Sequence, residues 1–231
     1  DSGDTYQVHT FSTVGTFGHT ITANGDVANT RAQKKVGDSS IAFDGNDYLS
    51  ISNSTDWNLG EFTIEGFIRF SSLNTYNELI GTANNTGYLG SGLSGWIVSY
   101  YNSATEMRIS YQSDSSWIFQ LAFDTTLSAD TWYHFAVSRD SSDDIRMYID
   151  GTQIGSTEND STTLTTTGDL WIGAGYNTTT AASTGYMDEI RISDTARYTG
   201  TTHTVPTTEF TADANTLLLI HSNWDGGLGA D

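Results

Sequence analysis

Residues 61–70, EFTIEGFIRF, alternate with a period of two. Phe62, Ile64, Gly66, Ile68 and Phe70 fall on one face; Thr63, Glu65, Phe67 and Arg69 fall on the other. Successive side chains of a strand point to opposite faces, so the stretch reads as a half-buried β-strand. Similar short apolar runs occupy 40–43, 47–51, 95–101, 106–111, 116–123, 131–138, 144–149, 169–173, 185–192 and 216–221. Gly, Asn, Asp, Ser and Thr separate them, as turn chemistry requires. Asp150-Gly151 lies between two strand-like runs, which predicts a type I′ hairpin turn. Asp44-Gly45-Asn46-Asp47 likewise separates SSIAF from YLSIS. Many short strands and a single proline fit an all-β, two-sheet antiparallel sandwich. Residues 81–95 and 155–168 are polar and read as long loops, where a β scaffold usually carries specificity.

The composition narrows the function. There is no cysteine, which excludes disulfides and thiolate zinc sites; at 231 residues the core is large enough to do without them. The formal charge is −19, from 28 acidic and 9 basic residues, and the only two lysines, Lys34 and Lys35, are adjacent. Nucleic acid is not an expected partner, because binding it needs clustered Lys/Arg to release counterions. Membrane insertion is not expected either: the longest apolar run, Leu217–Ile220, is strand-sized, against roughly 18 to 20 residues for a spanning helix. The opening Asp1-Ser2-Gly3-Asp4 lacks the basic and apolar regions of a signal peptide, as expected of a piece of a longer polypeptide.

The runs SSIAFDGNDYLSI, FTIEGFIRF, TWYHFAVSRD, MYIDGTQIG, LWIGAG and GYMDEIRIS, in this order, resemble the laminin-G-like jelly roll of concanavalin A-like and pentraxin-like proteins. The likeness extends over about residues 19–221. HTITANGDV and NTLLLIHS are similar to versions found in tandem in tailed-phage structural proteins and large bacterial adhesins. The resemblance implies a jelly roll over 36–221, preceded by a wrapping or pairing segment at 1–35 and followed by a linker or the start of another module at 222–231. No LLLIH-type strand precedes residue 19, so 216–221 is expected to close this module's own sheet. It further implies an extracellular or virion-surface setting.

Catalytic spacing is not found. Glycosidases of this fold carry Glu-x-Asp-x-x-Glu on one strand; Glu158-Asn159-Asp160 begins that pattern, but Thr163 ends it. Asp188 and Glu189 are strand neighbours and are expected to face opposite ways. There is no Gly-x-Ser-x-Gly elbow and no His-x-x-x-His spacing among the five histidines. His134 and His221 lie in strands, where a hydrogen-bonded structural imidazole is the expectation. The chain reads as a binder, not an enzyme.

Two kinds of site remain. Hard cations take carboxylate and carbonyl oxygens from loops, and Asp44, Asn46 and Asp47 supply them in one turn, making a structural calcium ion the candidate cofactor. In related jelly rolls an acidic residue of the strand before the last joins such a site, which would bring in Asp188. Asp44 and Asp47 also serve simply as turn formers, and Asp188 and Glu189 as partners of Arg191 or Arg197. For a sugar, whose C–H faces stack on aromatic rings, the candidates are Tyr88, Trp96, Tyr100, Tyr101, Tyr111 and Trp117, with Asn84 and Asn85 reading hydroxyls. Trp57, Trp132 and Trp171 are expected in the core. The leading function is a non-catalytic binding or adhesion module recognising carbohydrate or a cell-surface glycan. The alternatives are a structural spacer or decoration domain contacting neighbouring modules or copies of the same protein, and a divergent glycoside hydrolase.

Overall fold

The computed structural model describes residues 18–83, 91–175 and 182–223. Fifteen strands form two antiparallel sheets. They are β1 Ile21–Asn24, β2 Ala28–Thr30, β3 Ser40–Asp44, β4 Tyr48–Ile51, β5 Phe62–Phe70, β6 Tyr76–Ala83, β7 Ser94–Tyr101, β8 Glu106–Ser113, β9 Ser116–Asp124, β10 Tyr133–Arg139, β11 Asp144–Ile149, β12 Thr152–Asn159, β13 Asp169–Ile172, β14 Thr184–Ser193 and β15 Thr216–Ile220. The first sheet runs β1-β4-β13-β6-β7-β8-β9, the second β12-β11-β10-β5-β14-β3-β2, with β15 also on β14. This is a jelly-roll sandwich. No helix among the described residues is long and apolar enough to cross a membrane.

The core lies between the sheets. Ile51, Leu170, Val98, Ile109 and Phe123 of the first sheet meet Phe62, Ile64, Ile68, Phe135, Val137 and Met147 of the second. Each such side chain contributes about 1.5–3 kcal/mol on burial. The predicted I′ turn is present, with Asp150 and Gly151 at φ +48° and +75°.

Strand β5 departs from the half-buried reading, because its outward Glu65 and Phe67 are buried as well. A strap, residues 194–215, covers them. Its Tyr198 and Gly200 carbonyls accept from Ser138 Oγ at 2.5 Å and Tyr148 Oη at 2.7 Å, and its Phe210 joins Phe67, Val36 and Leu219 in a second apolar cluster. Residues 155–159, read as loop, belong to β12; the strand is polar because it is an exposed edge. Likewise β6 covers 81–83 of the other predicted loop. Within the N-terminal segment, β1 and β2 pair with β4 and β3, one in each sheet.

Strand β14 has a divided edge. Residues 184–187 pair with β3 and 190–193 with β15, while β5 runs along the other side. A β-bulge between Asp188 and Arg191, with Glu189 at φ +50°, marks the division.

Candidate functional site

Two features gather at one end of the first sheet. Pairing of β1, β4, β13, β6, β7 and β8 places Asn24, Tyr48, Ile172, Tyr76, Tyr101 and Glu106 toward the same end.

The first feature is a carboxylate triad. Asp26 follows β1, Asp44 closes β3 and Asp47 precedes β4; their oxygens lie within 4.8 Å of one another. Asp47 Oδ1 accepts from the Asp44 N–H at 2.8 Å, and Asp44 Oδ1 from the Asn46 N–H at 3.1 Å. Gly25, at φ +80°, lets the β1–β2 turn sit on Asp47: a Cβ there would stand 2.8 Å from the Asp47 Cβ. Burial is the largest cause pushing Asp47 up to about 6; the Asp44 N–H opposes it and the Asp44 charge adds to it. Three converging hard oxygen donors, one of them strained in its ionised form, fit a divalent cation of the calcium class. Asn46 Oδ1 lies 3.6 Å from that same Gly25 Cβ position, beside the triad. Asp26 was missed by sequence reasoning because it lies 18 residues before Asp44.

Asp188 is not part of this group. It accepts from the Lys35 and Val36 N–H groups at 3.0 and 2.9 Å and from Ser222 Oγ at 2.6 Å. It therefore closes the gap between β3 and β15. Burial, foremost, raises its pKa. Glu189 does not point away from it: its carboxylate accepts from the Phe210 N–H at 2.6 Å and meets His221 Nδ1 at 2.8 Å. The bulge breaks strict alternation and brings both carboxylates under the C-terminal segment and strap.

The second feature is aromatic. Tyr76 and Tyr101 stack with ring centroids 4.5 Å apart and planes 3° from parallel. Strand β7 lies between β6 and β8, so Tyr101 has Tyr76 on one side and Arg108 on the other, the guanidinium carbon 4.2 Å from the ring centroid. Arg108 is ion-paired with Glu106. Tyr76 is 43 % exposed.

Three of the sequence candidates are core residues instead. Trp96, Tyr100 and Tyr111 face the second sheet with Val98 and Ile109. Their polar atoms are engaged: Trp96 Nε1 donates to the Trp57 carbonyl at 2.9 Å, Tyr100 Oη accepts from the Leu127 N–H at 3.2 Å, and Tyr111 Oη lies 2.8 Å from Thr165 Oγ1. Alternation along β7 sends Trp96, Val98 and Tyr100 inward and leaves Tyr101 outward. Of the candidates on β7, Tyr101 alone faces outward. Trp117 is partly exposed on edge strand β9, beside exposed Ile118. Asn84, Asn85 and Tyr88 lie outside the described residues. Trp57 and Trp171 are buried, and Trp132 packs partly buried against the second cluster.

Under the strap, Glu65 organises a buried polar network. It accepts from Arg191 Nε and an Arg191 terminal nitrogen at 2.8 and 2.6 Å, and from Tyr198 Oη at 2.7 Å; His134 Nε2 lies 3.3 Å away. Burial raises its pKa, but His134, Arg191 and Tyr198 together outweigh that and hold it below the usual carboxylate value. Arg191 is thus the partner of Glu65, and Arg197 of Asp213 at 2.8 Å, rather than of Asp188 or Glu189.

A two-sheet jelly roll with these strand orders defines a concanavalin A-like domain. The profile of the Laminin_G_3 family, described as the concanavalin A-like lectin/glucanases superfamily, matches residues 43–201. The chain belongs to this family. Among curated proteins none matches the sequence significantly. Solved structures with the same fold include domain 4 of AbnA, a GH43 extracellular arabinanase from Geobacillus stearothermophilus, in complex with arabinotriose. It is 16 % identical with TM-score 0.58, over 78 % of this chain and 83 % of that one. The binding domain of Paraclostridial Mosquitocidal Protein 1 is 16 % identical with TM-score 0.59, over 78 % and 45 % of the two chains. The receptor binding domain of botulinum neurotoxin type G is 15 % identical with TM-score 0.55, over 78 % and 44 %. The chain thus spans less than half the length of the two toxin domains.

Proposed function

We propose that the chain is a non-catalytic carbohydrate-binding module working outside the cell or on a virion surface, with calcium held at Asp26, Asp44 and Asp47. The observation that carries the reading is the Tyr76–Tyr101 stack: an exposed ring with a donor–acceptor pair, Arg108 and Glu106, alongside. An exposed ring takes the C–H face of a sugar, and flanking polar groups set its orientation. The likeness in fold to an arabinotriose-bound domain of an extracellular enzyme supports it. Calcium would tie the β1–β2 turn to the β3–β4 turn, where the chain passes between sheets; Asp26, Asp44 and Asp47 would be its ligands, with Asn46 at hand. The buried carboxylates Glu65, Asp188 and Glu189 hold strands and strap in place, which favours a binder over a hydrolase.

The test is a glycan array, with and without calcium, followed by titration of any hit with Tyr76→Ala. Binding weakened by the substitution is expected. An array without hits in either condition overturns the reading, and turnover of a bound polysaccharide overturns its non-catalytic half.

One observation favours a structural spacer or decoration domain. Edge strand β9 carries no charge from Ser116 to Phe123 and exposes Ile118, so it lacks the charged side chains that guard many edges against pairing with another copy. Sedimentation showing self-association would support that reading, and a monomer at all concentrations would remove it.

A further inference from the structure

All nine cationic side chains lie in described segments; residues 1–17, 84–90, 176–181 and 224–231 contain no Lys or Arg. Among the described residues, five pair with carboxylates: Arg69 with Asp130 at 2.8 Å, Arg108 with Glu106, Arg146 with Asp140 at 2.7 Å, Arg191 with Glu65, and Arg197 with Asp213. A sixth, Arg139, is buried and donates to the carbonyls of Leu59, Gly60 and Thr162. The other three, Arg31, Lys34 and Lys35, fall within five residues between β2 and β3. Lys35 Nζ lies 5.6 Å from the Phe67 ring centroid, on the outer face of the second sheet. That is the opposite side of the sandwich from Tyr76 and Tyr101.

The aromatic platform therefore has one cation, Arg108, and that one is neutralised. Glu106 pairs across the strands with Asp124, adding a second carboxylate beside it, and the whole chain carries −19. At physiological salt, charges interact over about 8 Å, so only the local balance reaches a ligand, and it is negative. A uronate or sulfated sugar would meet repulsion and no ion-pair partner. A neutral sugar meets neither penalty. One ring of the polymer stacks on Tyr76 and a neighbouring unit, beyond Tyr101, reaches the ion pair, where one hydroxyl accepts from the Arg108 guanidinium and the next donates to Glu106, a division of labour that suits adjacent hydroxyls.

We propose that the ligand of this site is a neutral glycan, selected against acidic polysaccharides by the Arg108–Glu106 pair. This rests on the carbohydrate reading above. The test is calorimetric titration with a panel of neutral polymers (arabinan, galactan, xylan, glucan) and with polygalacturonate and heparin, at low and physiological salt. The expected result is binding of a neutral polymer with an affinity that salt leaves unchanged, and no binding of either acidic polymer. Tyr76→Ala weakens the neutral interaction several-fold, with the melting temperature unchanged. Glu106→Gln releases the guanidinium charge, and polygalacturonate binding appears and falls as salt rises. Wild-type binding of polygalacturonate in preference to galactan overturns the neutral assignment while leaving a carbohydrate module. A Glu106→Gln protein that binds the neutral polymer but still ignores polygalacturonate overturns the role of the pair. Binding to no polymer of either class overturns the carbohydrate reading itself.

Discussion

Replacing Glu65 by glutamine keeps the shape of the side chain and removes its charge, leaving the Arg191 guanidinium beneath the strap without a counterion. Glu65 is fully buried and Arg191 is 7 % exposed, so solvent cannot replace the lost partner. Removing one member of a buried ion pair costs about 3–5 kcal/mol; glutamine can still accept from Tyr198 Oη, which puts the expectation near the lower end, ~3 kcal/mol. For a chain of this size each kcal/mol moves the melting temperature about 2–4 °C, so a fall of about 6–12 °C is expected. Thermal unfolding followed by circular dichroism at neutral pH measures it. The double variant Glu65→Leu/Arg191→Met, which removes both charges, should recover most of the loss. The pH dependence has a definite sign. The folded pKa of Glu65 lies below its ordinary 4.5, so its contribution is complete above that value and disappears as pH falls through the lower folded pKa. Wild type and Glu65→Gln should therefore converge only in acid. A loss under about 1 kcal/mol at pH 7 would place the pair among solvent-screened surface bridges and refute the account of a desolvated network.

Calcium at a hundredfold excess over its Kd should stabilise the protein by about 2.7 kcal/mol, read as a higher melting temperature that Asp26→Asn reduces. Because Asp47 is raised to about 6, the cation-free protein should lose stability as pH rises from 4 through 6, and the calcium response should grow over the same interval. Asp188→Ala strands two backbone N–H groups and the Ser222 hydroxyl, with an expected loss of about 3 kcal/mol and an unchanged calcium response; a lost response would restore Asp188 as a ligand. The Glu189 hydrogen bond, chiefly, raises the pKa of His221. That contribution is complete below the ordinary 6.5 and vanishes as pH climbs through the higher folded value, so amide exchange in β15 should quicken on the alkaline side and not in Glu189→Gln.

Strands with a strong period of two were legible from the sequence, β5, β7, β10 and β14 above all, and so was the Asp150-Gly151 turn. The strands that escaped were β1, β2, β6 and the second half of β12. The first two are short and β12 is polar, being an exposed edge; β6 carries its pairing through Gly81 and polar residues, so apolar alternation does not announce it. Two of the three carboxylates of the candidate cation site, Asp44 and Asp47, were visible, because turn and ligand chemistry use the same residues. Asp26 was not, since only the pairing of β1 with β4 and β2 with β3 brings its turn there. Asp188 and Glu189 were misjudged for one reason: a bulge resets alternation, and nothing in the strand's composition signals it. Among the aromatics, Tyr100 and Tyr101 were equal candidates, and only the phase of β7, which no count of tyrosines and tryptophans can settle, sends one inward and the other outward.

The two outer faces of the sandwich solve opposite problems with the same scarce resource. The second sheet is overlaid by a strap, and holding polar residues beneath it takes Arg191 and Arg197, while Arg139 fixes the loops at its edge. Of the described acids left over, Asp47, Glu78, Asp188 and Glu189 are buried and the rest are partly or fully exposed. Under that surplus, closely spaced carboxylates such as Asp26, Asp44 and Asp47 gain from a divalent cation, and an acidic ligand gains nothing anywhere near Tyr76. A bound calcium would change the formal charge from −19 by 2, to −17, which leaves the sign of the field intact. A cation at the triad and a neutral sugar on the tyrosine stack are then two consequences of one imbalance, and calcium should raise stability without admitting acidic glycans to the platform.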